Sequence, residues 1–357
     1  MLINRSDLRL AITAGLATGF TAITPLPFGV YFTAAVLAVC TGTYGGSLAM
    51  ARQRIAGTLL GGAVLLASYG PMQGWPFPLA IAVALALLRL LGGWLGIRGY
   101  KVGSFIVIMG WLVHNDQLAF WLPMRLFWTT LGILVGMGSL RLFWSSLAIG
   151  TARTLCGSLL TGLGSDLRAA AGRLDPHSSA SDLPGSATGL EHPQLDRLSL
   201  QRRQQLLKLR KLFPEIANEL GNNPQLHPLY RLFRHFDRTC SLLIGTIDGL
   251  AHQPIPRKSL AALAAIHAAE ASLLRHCADQ LDQWIDSLAK PGDFPPPPKS
   301  GPLPTGWESA ADMLQDHSLD AISAERLQHL ARRALLCRQG IRAIESMERD
   351  WNRLART

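Results

Sequence analysis

Apolar residues fill the first 145 positions in six stretches, near residues 8–24, 28–43, 53–70, 77–95, 102–114 and 118–140. Each predicts a helix. Several are shorter than the ~20 residues that cross a bilayer, and they are rich in Gly and Pro. From about Leu147 the pattern turns amphipathic, which predicts helices over 147–173, 196–221, 225–250, 257–289 and 320–355. Two loops punctuate this part: a Ser/Gly/Pro-rich one over 174–194, expected to be mobile, and a proline-rich connector over 291–306 that contains Pro295–Pro298. No stretch alternates as a strand does, so the fold class is all-α. A six-helix integral membrane domain (1–145) precedes a cytoplasmic helical domain (146–357).

Charge sharpens the division. Residues 1–145 hold nine of the 34 Lys+Arg and two of the 24 Asp+Glu, namely Asp7 and Asp116. One compact soluble enzyme is thereby excluded. The basic residues of the first part also alternate from link to link. Arg5 and Arg9 precede the first stretch, Arg52 and Arg54 join the second to the third, Arg98 and Lys101 the fourth to the fifth, and Arg141 closes the sixth. The intervening links, around 24–27, 68–78 and 115–117, hold no Lys or Arg. This is the positive-inside pattern for six spans with both termini in the cytoplasm, the plasma (inner) membrane being the compartment. The first stretch does not read as a cleaved signal, since Thr and Gly interrupt it and no A-x-A-like site follows.

The net charge of +10 does not indicate nucleic acid, because most of the excess lies among apolar segments where headgroups and topology account for it. Five scattered cysteines (Cys40, Cys156, Cys240, Cys277, Cys337) share no CxxC spacing, so no disulfide framework, metal site or cofactor is expected. His267 and His276, nine apart on one helix, do not share a clean face.

A repeat runs through the membrane part. Arg54-x-x-x-Thr58-x-x-Gly61 recurs as Arg125-x-x-x-Thr129-x-x-Gly132, 71 positions later. The interval contains three spans, an odd number, so the halves would be oppositely oriented: inverted three-helix repeats. Offsets of zero, four and seven place Arg, Thr and Gly on one helical face, offering a guanidinium, a hydroxyl and a gap to a carboxylate. The glycines read more readily as helix-packing notches, and Arg54 can be read as a snorkelling residue. Arg125 sits about 10 Å into its span at 1.5 Å per residue, where no acid is at hand, so a wet cavity is its natural surrounding. Arg89 in the fourth span has a similar claim. Trp121 and Trp128 flank Arg125 on the same face, as an interfacial aromatic belt or as a stacking surface for an aromatic acid.

The segment Arg54-Ile-Ala-Gly-Thr-Leu-Leu-Gly-Gly62, with Pro27–Thr33 opening the second stretch and the second copy at Arg125–Gly132, resembles the fusaric-acid-resistance and aromatic-acid-exporter superfamily. That superfamily includes the plant aluminium-activated malate channels. The resemblance covers residues 5–145, and Phe32 departs from it where a Trp is common. It implies efflux or channel-like passage of organic anions, aromatic or dicarboxylic, through a homodimer with a central pore, and it places Arg54 and Thr58 on the family motif.

A cationic conduit almost without counter-charges fits such a solute. Coupling to protons is not expected, since the only candidates are Asp7, Asp116 and His114, all near span ends. The membrane potential suffices to drive an anion outward. A second reading stays open, in which the spans anchor a scaffold or sensor whose helical domain binds a partner. Enzymatic activity is not expected: there is no HExxH, GxSxG or P-loop, and no paired intramembrane carboxylates.

Overall fold

A computed structural model describes residues 5–40, 42–97, 99–143, 147–174, 192–221, 223–255, 261–299, 301–307, 309 and 323–356. The described residues are helical or irregular, with no strand among them. Most of the loop expected over 174–194, and Arg98 of the charge pattern, lie outside the described residues. Two compact units form: Met1–Ala148 together with Pro214–Asn222, and Ile149–Phe213 together with Asn223–Thr357.

Six helices build the first unit: α1 (Arg5–Ile23), α2 (Val30–Val39), α3 (Tyr44–Tyr69), α4 (Phe77–Trp94), α5 (Tyr100–Leu112) and α6 (Leu118–Leu142). Each falls on one of the six apolar stretches, with α3 extending well before its own. α4 and α6 are long and apolar enough to cross a membrane, while α2 and α5 are apolar but only 10 and 13 residues long. Leu16, Ile23, Leu66, Leu90, Trp94 and Leu134 are each more than half exposed. So much bare apolar surface marks a face made for lipid or a partner.

α3 starts earlier than the hydrophobic pattern implies. Thr43 caps it, its hydroxyl accepting from Gly46 N at 3.2 Å, so the helix begins nine residues before the apolar run. Arg52 and Arg54 therefore lie inside α3 rather than in the link before it. The last turns of helix α8 (His192–Leu220) belong to this unit and secure that start. Thr43 Oγ1 donates to Glu215 Oε2. Glu219 Oε1 accepts from Gly45 N at 3.0 Å and from Ala148 N at 2.7 Å. Acidic side chains at a helix N-terminus complement its unpaired N–H groups and dipole.

Helix pairing in this unit has a symmetry. α3 packs along α5 and α2 along α6; α1 packs on α2 and α4 on α5; α3 crosses α6. Exchanging the first three helices for the last three carries each pairing into another. The register agrees to the residue. A Cβ on Gly61 would lie 2.5 Å from Gly103 Cα, and one on Gly132 would lie 2.6 Å from the Phe32 carbonyl oxygen. Both residues of the second contact stand 71 positions from those of the first, 61 to 132 and 103 to 32. Leu65 against Gly110 and Gly136 against Val39 form another such set.

Arg9, only 2% exposed, directs its guanidinium to the carbonyls of Phe143 (3.4 Å) and Gly42 (3.3 Å). Arg141 donates to Tyr44 OH at 3.2 Å. The start of α1, the α2–α3 link and the end of α6 thus meet at one end of the unit.

The second unit is helical as its amphipathic pattern predicts: α7 (Ala148–Gly172), the first part of α8, α9 (Pro228–His252), α10 (Ala261–Ala289) and α11 (Ala324–Leu354). Its core centres on Phe236, Trp284 and Trp351, whose ring centroids lie 5.2–6.4 Å apart. Both indoles are satisfied, Trp284 donating to Glu348 Oε1 at 3.0 Å and Trp351 to the Pro295 carbonyl at 2.9 Å. The proline connector is therefore stitched to α11. Arg333 and Glu270 form a buried two-pronged ion pair at 2.6 and 3.2 Å, and Arg333 Nη1 also donates to the carbonyls of Leu250 and Gln253.

Candidate functional site

Short helices leave space beside them. α2 and α5 occupy corresponding places in the two halves, and the cleft of the first unit lies along them. Brief apolar segments in matching positions of a repeat are where transporter folds place their binding sites. The cleft has a volume of about 590 Å³ and is lined by Val30, Tyr31 and Ala34 of α2, Arg54 of α3, Lys101, Val102, Phe105 and Met109 of α5, and Arg125 and Thr129 of α6. Eight of these ten residues form pairs 71 positions apart: Val30 with Lys101, Tyr31 with Val102, Ala34 with Phe105, and Arg54 with Arg125. The cavity sits where the two halves face each other.

Three of the lining side chains are cationic and none is acidic. Arg125 is the most enclosed, at 6% exposure. Its guanidinium carbon lies 4.2 Å from the Tyr31 ring centroid, 5.2 Å from Phe105 and 5.3 Å from Trp121. Its Nε and Nη1 atoms are buried without a hydrogen-bond partner, as is Nε of Arg54. Aromatic faces offset part of the desolvation of a cation, but unpaired buried N–H groups still cost free energy. The cage is itself braced. Trp121 Nε1 donates to Tyr31 OH at 3.1 Å, and the His114 ring stacks on Trp121 at 4.5 Å and reaches Tyr31 OH at 3.5 Å.

The structure brings Arg54, Arg125 and Thr129 together in one cleft, and it sets the other candidates apart. Thr58 is buried but outside the lining. Gly61 and Gly132 meet the neighbouring helix backbones described above. Trp121 lies behind the cage, fully buried. Trp128 is a core residue that donates to the Pro27 carbonyl at 2.8 Å and packs on Phe32 and Phe20. Arg89 is exposed on α4 beside Leu87 and Leu90.

Tyr31, Lys101 and Phe105 escaped the sequence reading. Lys101 was absorbed into the topological charge pattern, and the two rings into apolar stretches. The signal that finds them is the 71-residue interval: applied to α2 and α5 as it was to the arginines, it pairs Lys101 with Val30 and Phe105 with Ala34.

No curated protein matches the chain. Residues 12–139 do match the family model described as fusaric acid resistance protein-like. The match covers α2 through α5 and most of α1 and α6, including every residue that lines the cleft. That segment, less than half of the chain, is accordingly similar to the fusaric acid resistance proteins, a family of membrane transport and resistance proteins.

Proposed function

We propose that the first unit crosses the membrane six times as two inverted three-helix repeats and passes organic anions, aromatic or dicarboxylic acids, through the cleft between them. The observation that carries this reading is Arg125, a buried guanidinium with two unpartnered N–H atoms in a cleft lined by no carboxylate. A lone cation held away from bulk water costs several kcal/mol unless something neutralises it. A passing carboxylate supplies that charge and those acceptors. Lys101 and Arg54 extend the cationic lining, the arrangement by which anion pores select their ions. Tyr31 and Phe105 add ring faces suited to an aromatic body.

The driving force is the membrane potential. An anion leaving a negative interior gains about 2.3 kcal/mol per charge per 100 mV, so no coupled proton is needed. The cleft opens at the surface of the unit, with Val30, Lys101 and Phe105 exposed at its rim. A rim that carries an ammonium does not suit acyl chains, which supports a homodimer in which a second copy covers it. In this reading the Arg54 side of the cleft faces the cytoplasm and the Arg125 side the exterior, an orientation that the positive-inside pattern supports.

Vesicles loaded with labelled benzoate test the reading. Release should quicken when the interior is made negative, and Arg125→Ala should slow it at least tenfold in protein that still folds. Release that answers only to a pH step, or that proceeds unchanged in the folded variant, overturns it. The second of these outcomes would favour a scaffold or sensor.

A further inference from the structure

The two halves of the cleft repeat each other in position but not in chemistry. Arg54 and Arg125 are equivalent, yet their surroundings differ. Arg125 lies against Tyr31 of α2 and Phe105 of α5. The residues 71 positions away, Val102 and Ala34, also line the cleft and carry no ring. Among the described residues no ring lies over Arg54 or Lys101. Lys101 in turn corresponds to Val30, so the ammonium position of the lining is filled in one half only.

From this broken symmetry we infer that Tyr31 and Phe105 are the residues that give the anion path its direction. The inference rests on the transport reading above. A guanidinium caged by π faces is partly compensated whether or not an anion is bound, and the cage holds it in place when the anion leaves. Release next to Arg125 therefore leaves behind a cation whose loss of the anion the rings offset in part. Arg54, half-buried, and Lys101, exposed at the rim, carry no ring and present open cationic faces to an arriving anion. Anions load at the uncaged cations and leave past the caged one. With the Arg54 side toward the cytoplasm, the favoured direction is outward.

Both repeat halves supply the control, since each ring can be replaced by the residue that its counterpart already carries: Tyr31→Val and Phe105→Ala. In vesicles holding the full chain in one orientation, with equal labelled benzoate on the two sides, initial rates are measured at equal and opposite membrane potentials. The unmodified protein should move benzoate several-fold faster outward than inward, and the double variant should bring that ratio close to one. Phe105 is 50% exposed, so Phe105→Ala removes little packing and should shift the ratio part of the way even where Tyr31→Val prevents folding. A ratio near one in the unmodified protein, or the same ratio in a folded, flux-competent variant, overturns the inference alone. Absence of benzoate movement in both directions in the unmodified protein overturns the transport reading, and this inference with it.

Discussion

Gly132 rests on the backbone of Phe32, so that a single added carbon would lie 2.6 Å from the Phe32 carbonyl oxygen. Its counterpart, Gly61 on Gly103, leaves 2.5 Å. Real Cβ atoms do not come so close to rigid backbone, and the helix pair would have to separate. Gly61→Ala and Gly132→Ala should each destabilise the first unit by about 1–3 kcal/mol, the range for overfilled packing. Unfolding titrations in mixed micelles measure this. Equal midpoints for variant and parent would show that the helices can part freely.

Lys101 and Arg89 separate cleft cations from cations elsewhere. Lys101 is at the cleft rim and Arg89 is exposed on α4 outside it. Lys101→Ala should lower benzoate flux several-fold, and Arg89→Ala should leave it within about twofold of the parent, exposed charges having small effects at a distance. The reverse order would mean that the path runs along α4.

The buried pair Arg333–Glu270 should behave as a unit. Glu270→Ala leaves a guanidinium 3% exposed without its carboxylate, and a broken buried pair costs about 3–5 kcal/mol. Thermal unfolding followed by tryptophan fluorescence, with Trp284 and Trp351 as reporters, should show the loss. The double change Glu270→Leu with Arg333→Met should recover much of it, because no unpaired charge remains. A double variant as unstable as Glu270→Ala would trace the effect to packing instead.

The thiols give a pH test. Burial, assisted by nearby Asp237, pushes Cys240 from the ordinary thiol range up to about 12, and burial likewise pushes Cys277 up to about 12. The folded values lie above the unfolded ones, so the stabilisation is complete below about pH 9 and is lost as pH rises toward about 12. Denaturant midpoints should fall across that window and stay level from pH 7 to 8.5. A thiol reagent at pH 8 should leave both residues unmodified until the chain unfolds. Rapid labelling of either in the folded protein would place it at the surface.

Much of this was legible in the sequence, and the gaps have physical causes. Hydrophobic runs fixed the six helices of the first unit, and amphipathic periodicity fixed α7–α11 to within a few residues. Arg54 and Arg125 could be paired by interval alone, because a repeat is a property of order along the chain. The start of α3 could not be read, because Arg52 and Arg54 look like a charged boundary until Thr43 and two distant glutamates are seen to cap an earlier turn. Contacts between residues some 170 positions apart leave no trace in local pattern. The uses of the glycines were equally hidden: the motif admits a ligand gap or a packing notch, and only the neighbouring backbone distinguishes them at Gly61 and Gly132.

Glu219 holds the first amides of two helices at once, Gly45 N of α3 and Ala148 N of α7. Anyone trimming the molecule to its hydrophobic part by cutting after residue 145 would therefore discard the carboxylates that finish α3, the helix that carries Arg54. A shortened protein would keep its apolar helices and lose the anchor of the arm that carries Arg54, unless residues 214–220 were grafted back as a separate piece.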